Sequence, residues 1–327
     1  MTVLAGDIGG TKTLLQIADF DRDRYRVLAQ RRFENEAYTS LSAIIEEFMG
    51  EQRPKPHLKA ACLGVAGPIL DTGDGERVRL TNLPWSVDSK DLRASLGIPK
   101  VRLINDLQAA GYGMQLLAPQ DFITLQAGEP QAFGTRALIG AGTGLGQGLL
   151  IWQQDHYEPH PTEGGHADFA PTDAVQIDLL RFLLRDHARA SYERVLSGQG
   201  LVNIYHFLCV RHCKPGTISH DVDGQAAAIA VAAHARKDPL ASEALEIFAQ
   251  IYGAQAGNLA LTVMATGGVY ITGGIAPKIL PWLTDGRFLK AFLHKGRMSA
   301  LAARTPVHIV TNPAIGLMGT ALAASRL

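Results

Sequence analysis

Two stretches rich in glycine and threonine, with a few acids and one histidine beyond them, are where this 327-residue sequence could do chemistry. The first is Gly6-Asp7-Ile8-Gly9-Gly10-Thr11, which follows the short apolar run Val3-Leu4-Ala5. Glycines let backbone N–H groups turn toward an anion such as phosphate, and the Thr11 hydroxyl adds a donor. An acid such as Asp7 beside a phosphate turn makes sense only with a cation between them, and Mg²⁺ reached through water is the natural one. The second stretch runs Gly140-Ala141-Gly142-Thr143-Gly144-Leu145-Gly146, so that Gly142, Thr143 and Gly144 offer another donor turn. Plain glycine turns also close ordinary hairpins, and each stretch alone leaves both readings open.

Two better-known glycine motifs do not fit. A Walker phosphate loop ending in Lys12-Thr13 needs glycine at position 11, where Thr11 stands, and a helix afterwards. Leu14-Leu15-Gln16-Ile17 suits a strand instead. The dinucleotide fingerprint fails as well, because the third glycine is replaced by Gln147 in one frame and Leu145 in the other.

Glu163-Gly164-Gly165-His166 has the Glu-x-x-His spacing of a di-iron helix, but paired glycines after Pro159 and Pro161 argue for a loop. In a loop, Glu163 and His166 offer an acceptor and a donor/acceptor to one polyhydroxylated ligand. Glu193 opens a candidate helix, where an acid is often just a dipole partner. Asn105-Asp106 falls at the carboxyl end of an apolar run, the position at which open α/β sheets bind ligands. His206, Cys209 and Cys213 share a helical face, yet a closed zinc site needs four ligands and no second pair is present. Core thiols are the better account of these cysteines.

Positioning those residues requires an alternation of strands and helices. Strands are expected at 3–5, 13–19, 60–66, 101–104, 137–139, 149–152, 269–271 and 306–310. Leu41, Ile44, Ile45 and Phe48 are spaced as one helical face, with Thr39 or Ser40 as its cap. Further helices are expected at 107–117, 175–184, 201–213, 241–264 and 316–325, with another starting at Ser191 and stopping at Gly198. The plan of apolar strand, Gly/Thr turn and apolar strand occurs twice, about 135 residues apart. That repeat suggests a duplicated unit, one per lobe, with a cleft between.

Composition narrows the function. Hydrophobic residues make up 46% and charged residues 19%, and Lys+Arg equals Asp+Glu at 31 each. That balance disfavours nucleic acid as a partner, since such binders carry a basic excess. The first residues read as a strand and not as a signal peptide. The longest apolar stretch, 254–270, is broken by Gly257, Asn258, Gly267 and Gly268, so no membrane partner is expected. Three scattered cysteines point to a reducing, cytoplasmic setting.

Taken in order, Asp-Ile-Gly-Gly-Thr, Ile-Asn105-Asp106, Gly-Ala-Gly-Thr-Gly-Leu-Gly, Glu-Gly-Gly-His-Ala-Asp-Phe-Ala-Pro, Glu-Arg-Val-Leu-Ser-Gly and Ile-Thr-Gly-Gly-Ile resemble the motifs of bacterial glucokinases, from residue 3 to about 320. The resemblance implies a two-lobed actin-like, ribonuclease H-like α/β ATPase fold with the site in the interlobe cleft. A small lobe would comprise 1–110 plus 312–327, and a large lobe 111–311. It implies ATP, Mg²⁺ and glucose as ligands, glucose 6-phosphate as product, and a homodimer. Gly6, Asp7, Ile8, Gly9, Gly10, Thr11, Gly142, Thr143 and Gly144 would hold the ATP phosphates, and Gly273 and Gly274 would lie by the adenosine. Asn105, Asp106, Glu163, His166 and Glu193 would bind the sugar, with Asp106 as catalytic base. Thr81-Asn82 would add a sugar-side contact. Lys12 departs from the pattern and is typical of the sister family of repressors and kinases. That family carries a Cys-rich zinc motif after its glycine loop, whereas here no cysteine follows Gly148 until Cys209. A kinase of another hexose or an N-acetyl sugar, and a non-catalytic sugar-responsive regulator, are the alternatives.

Overall fold

The computed structural model describes residues 1–21, 24–80, 83–218 and 224–327. These divide into two compact units, Met1–Pro119 with Tyr157–Pro161 and Asn312–Leu327, and Gln120–His156 with Thr162–Thr311.

The chain opens with β1 (Thr2–Ile8), β2 (Lys12–Asp21) and β3 (Arg24–Glu34), followed by α1 (Leu41–Gly50) and β4 (Ala60–Val65). Then come β5 (Ile69–Asp71), β6 (Glu76–Arg79), β7 (Ser86–Asp88), α2 (Ser89–Leu96), β8 (Val101–Asn105) and α3 (Asp106–Gly113). The main sheet has the order β3-β2-β1-β4-β8, with β1, β4 and β8 parallel and the β1–β2–β3 pairs antiparallel. Both faces of its centre are buried, as parallel strands require. Alternation sends Leu4 and Ile8 of β1 and Leu63 and Val65 of β4 into a core with Ile44, Ile45 and Phe48 of α1. Val3, Ala5, Ala60 and Cys62 face the other way, toward the C-terminal residues Leu317, Ala321 and Ala324. Ser40 caps α1, its hydroxyl accepting the Ala43 N–H at 3.2 Å.

The second unit contains β9 (Phe122–Gln126), β10 (Arg136–Ala141), β11 (Leu145–Gln153) and most of the helices. After β12 (His156–Thr162) come α4 (Ala174–Leu183), α5 (Gly198–Arg211), α6 (Gln225–His234), α7 (Pro239–Thr262) and β13 (Gly268–Thr272). Next are α8 (Leu280–Thr284), α9 (Arg287–Leu293), α10 (Ser299–Arg304) and β14 (Val307–Val310), and α11 (Ile315–Ser325) ends the chain in the first unit. The second sheet has the order β12-β11-β10-β13-β14-β9. It repeats the first sheet's plan: an antiparallel hairpin (β10/β11) whose first strand runs parallel to β13, which runs parallel to β14. The core of this unit gathers around α7, which starts with Pro239 at its first position and Asp238 accepting the Leu240 and Ala241 N–H groups. Among the described residues no helix is long and apolar enough to cross a membrane.

Three local expectations change. Residues 107–117 form a shorter helix, α3, which tightens into a 3₁₀ turn at Met114–Leu116. Ser191 precedes only a 3₁₀ turn, Tyr192–Arg194, and makes no capping bond. The cap that starts the long helix there is Ser197, whose hydroxyl accepts the Gly200 N–H at 2.9 Å, so α5 begins at Gly198 instead of a helix ending there. Strand β3 had no apolar alternation to announce it, because it is an arginine-rich strand at the sheet's edge.

Candidate active site

In the first unit, β1 and β2 pair up to Ile8 and Thr13, leaving Gly9, Gly10, Thr11 and Lys12 to make the connection. The Gly9 N–H closes this turn on the Lys12 carbonyl at 2.9 Å. Asn35, buried to 1% exposure, ties it down from the end of β3. Its Nδ2 donates to the Gly9 carbonyl at 2.8 Å, its backbone N–H to the Thr11 carbonyl at 2.9 Å, and its Oδ1 accepts the Thr13 hydroxyl at 2.8 Å. The N–H groups of Gly10 and Thr11 have no partner among the described residues. Asn35 went unseen in the sequence because a lone Asn after a charged strand carries no spacing signal. Gly6 and Ile8 lie outside the turn, within β1; a Cβ on Gly6 would come 2.6 Å from Leu63 Cδ2, so this glycine answers to packing.

Asp7 sits beside that turn, at the carboxyl end of β1. Its carboxylate has no hydrogen-bond partner among the described residues. Burial pushes its pKa up, the Asp106 charge adds to the rise, and Lys12 opposes it. Gly316 of α11 leaves room there, since a Cβ would stand 3.3 Å from Asp7 Oδ2. A partly desolvated carboxylate without a hydrogen-bond partner among the described residues, and within range of a second one's charge, fits a cation site in its donor chemistry. No group of three His, Cys, Asp or Glu side chains among the described residues could hold a metal unaided.

Asn105 ends β8 and caps α3, its Oδ1 accepting the Gln108 N–H at 2.6 Å. That leaves the Asn105 Nδ2 amide without a partner among the described residues. Asp106 is the first residue of α3, and its Oδ1 accepts the Leu107 N–H at 2.8 Å. Although the Asp106 side chain reaches the surface, desolvation raises its pKa above the usual carboxylate range against the pull of that N–H. The position of α3 is set by close backbone contact with α11. A Cβ on Gly319 would fall 1.7 Å from the Ala109 carbonyl oxygen, and one on Gly113 would fall 2.0 Å from that of Ile315.

The second unit builds a matching turn between β10 and β11. The Gly142 N–H donates to the Gly144 carbonyl, and the Gly142 carbonyl accepts the Gly198 N–H, both at 2.8 Å. Again two N–H groups, those of Thr143 and Gly144, have no partner among the described residues. Gly273, at φ +86°, lies against this turn, where a Cβ would meet the Ala141 carbonyl oxygen at 2.4 Å. Gly274 beside it has open space.

The three other candidates of this unit come together next to the same turn. Glu163–Gly165 folds as the start of a 3₁₀ turn, with His166 N–H on the Glu163 carbonyl at 3.0 Å. Gly165 is packed so closely that a Cβ would stand 1.9 Å from the Leu145 carbonyl oxygen. The Leu145 N–H donates to Glu193 Oε2 at 2.9 Å. Glu193 Oε1 lies 3.9 Å from His166 Nδ1, and Glu163 Oε2 lies 3.8 Å from His166 Nε2. His166 thus stands between two carboxylates. Arg189 holds this loop in place by donating to the His166 carbonyl at 2.6 Å and to Asp168 Oδ1 at 2.8 Å. Thr81 and Asn82 lie outside the described residues.

A glucokinase from Nostoc sp. is 44% identical over 345 residues, covering 99% of each chain. The crystal structure of a glucokinase from an Antarctic psychrotroph superposes with a TM-score of 0.88 at 28% identity, covering 100% of this chain and 99% of that one. A ROK-family glucokinase from Streptomyces griseus, solved with glucose and AMPPNP, shares the fold at a TM-score of 0.65 and 20% identity, covering 100% of both chains. The fold is therefore that of the actin-like ATPases. The family model described as Glucokinase matches residues 4–327, and the chain belongs to the glucokinase family.

Proposed function

We propose that this chain transfers the γ-phosphoryl group of ATP to the 6-hydroxyl of glucose, giving glucose 6-phosphate and ADP, the entry step of glycolysis. The observation that carries this reading is the family match across residues 4–327. Within this reading each residue takes a role that the local geometry supports. Asp106 takes the proton from the sugar O6 as that oxygen bonds to the γ-phosphorus and the bond to the β–γ bridging oxygen breaks. Desolvation raises its pKa, which makes it a stronger proton acceptor than an ordinary carboxylate. Asn105 offers its Nδ2 to a neighbouring hydroxyl while its Oδ1 stays on Gln108.

Glu163, His166 and Glu193 take the other sugar hydroxyls as acceptor, donor/acceptor and acceptor. The N–H groups of Gly10, Thr11, Thr143 and Gly144, with the Thr11 and Thr143 hydroxyls, supply the donors that a polyphosphate needs. Gly9 and Gly142 shape those two turns, and Gly273 and Gly274 leave room for the adenosine. Asp7 would hold Mg²⁺ through water, and the ion when bound supplies charge neutralisation for the transferring phosphoryl group. The free cysteines Cys62, Cys209 and Cys213 suit a cytoplasmic setting, and the family resemblance argues for a homodimer.

The experiment is ATP turnover by the purified chain, followed by coupled ADP release with a panel of sugars. Glucose should accelerate turnover more than its epimers or N-acetylglucosamine do. Faster turnover with another sugar would reassign the substrate, and no acceleration by any sugar would favour a regulator.

A further inference from the structure

The polarity of the Gly9–Lys12 turn is set from outside the turn. Three of its carbonyls are engaged within the protein: Gly9 by Asn35 Nδ2, Thr11 by the Asn35 backbone N–H, and Lys12 by the Gly9 N–H. Among the described residues the N–H groups of Gly10 and Thr11 and the single Gly10 carbonyl are left without a protein partner. A four-residue connection left to itself presents carbonyl oxygens and N–H groups alike, and exposed carbonyl dipoles repel a polyphosphate. Two of the three carbonyl engagements come from one residue, Asn35.

The Asn35 side chain is held in one orientation. The Thr13 hydroxyl donates to Oδ1 at 2.8 Å, so Nδ2 faces the Gly9 carbonyl; a flipped amide would put oxygen against oxygen. Both side chains are buried, Asn35 at 1% and Thr13 at 0%, so neither bond is replaced cheaply by water. Asn35 also follows directly on β3, which pairs with β2 through Lys12↔Glu34 and Thr13↔Phe33, and so fixes the turn to the sheet.

We infer that Asn35 is a positioning residue for the nucleotide: with Thr13 it holds the Gly9-Gly10-Thr11 turn so that the Gly9 and Thr11 carbonyls are occupied and the Gly10 and Thr11 N–H groups are left for phosphate. This rests on the proposed reading of the turn as an ATP-phosphate site. Asn35 does not touch the nucleotide; it acts through the backbone of the turn.

The test uses the full-length chain, with ATP affinity measured without sugar and glucose affinity without nucleotide, and melting curves for each variant. Asn35→Asp keeps the size of the side chain but cannot donate to the Gly9 carbonyl. It should weaken ATP by roughly tenfold or more and leave glucose within about twofold. Thr13→Val should weaken ATP by several-fold, whereas Thr13→Ser, which keeps the hydroxyl, should restore it to within about twofold of wild type. If Asn35→Asp does not fold, the Thr13 pair decides: ATP loss with Val and rescue with Ser supports the inference, and wild-type ATP binding by Thr13→Val overturns it. It is also overturned if ATP and glucose affinities fall together in step with the melting temperature. A wild-type chain that binds no ATP would sink the proposed function, and this inference with it. ATP binding by wild type and by a folded Asn35→Asp alike would sink this inference alone.

Discussion

The Glu193 carboxylate is bonded to the backbone of the second glycine turn: the Leu145 N–H, one residue beyond Gly144, donates to Glu193 Oε2 at 2.9 Å. Its other oxygen lies 3.9 Å from His166 Nδ1. One side chain therefore belongs both to the proposed sugar residues and to the proposed phosphate turn. The family resemblance implies the same sugar-binding role for Glu193, Glu163 and His166. The Leu145 bond separates Glu193 from the other two.

Glu163→Ala and His166→Ala should accordingly weaken glucose by about 1–3 kcal/mol each, roughly 5- to 150-fold, while ATP affinity without sugar barely moves. Glu193→Ala should weaken both ligands, because the Leu145 N–H loses its acceptor and the turn loosens. Calorimetric titration of each ligand alone checks this, with melting curves to separate it from unfolding. ATP affinity that is indifferent to Glu193→Ala would show that the bond has no influence on the turn.

Asp106→Asn should keep sugar binding and lower kcat by ~10²–10⁴, the usual worth of a general base. The pH dependence has a definite sign. Desolvation raises the carboxyl pKa in the folded chain, so the ionised form that works as a base is lost as pH falls through that raised value. Stability runs the other way, since ionising a carboxyl with a raised pKa costs the fold and protonating it relieves that cost. In wild type kcat should fall on the acid side, and Asp106→Asn should flatten that limb. A variant keeping more than about a tenth of wild-type kcat would remove Asp106 from the role.

Asp7 carries the metal prediction. Chelation should abolish turnover, and Mg²⁺ should restore it. Asp7→Asn should raise the Mg²⁺ concentration needed for half-maximal rate by roughly tenfold while leaving glucose affinity unchanged. Turnover unaffected by chelator would argue that no cation works there.

Legibility in the sequence followed local pattern. Strands β1, β4 and β10 are short apolar runs ending in glycine-containing turns, and the Ser40 cap precedes a clear helical face; all of these could be read directly. The repeated strand order of the two sheets was foreshadowed by the repeated strand–turn–strand motif. Asn35 could not be read, because its role comes from β3 folding back beside the turn, 26 residues from Gly9. The same holds for the tie between Leu145 and Glu193, 48 residues apart. Nor could the glycines be sorted from one another. Gly6 serves packing against Leu63, Gly165 a close approach to Leu145, and Gly273 a left-handed backbone, and only neighbours in space tell these apart.

The sharpest contrast lies within the second turn. Gly142 has open space where a Cβ would go, and its φ is not in the left-handed region. Gly144 does not have that freedom: its Cβ would come 2.5 Å from Glu193 Oε2. The carboxylate is the far end of a flexible side chain, so it would move away, giving up the Leu145 N–H and its place beside His166. Gly142→Ala should therefore keep the melting temperature and glucose affinity, and any loss should fall on ATP, whose phosphates would meet the added methyl. Thr143→Val should likewise lower ATP affinity alone, by about 0.5–1.5 kcal/mol for a lost hydroxyl donor. Gly144→Ala should weaken both ligands, with glucose falling roughly 5- to 150-fold as it does on removing Glu193. Combining Gly144→Ala with Glu193→Ala should add little to glucose loss, since the first change already displaces the side chain that the second removes. Glucose titration of Gly144→Ala, Glu193→Ala and the double variant decides it. Equal and additive losses from Gly144→Ala and Glu193→Ala would mean that the added methyl acts somewhere other than on Glu193.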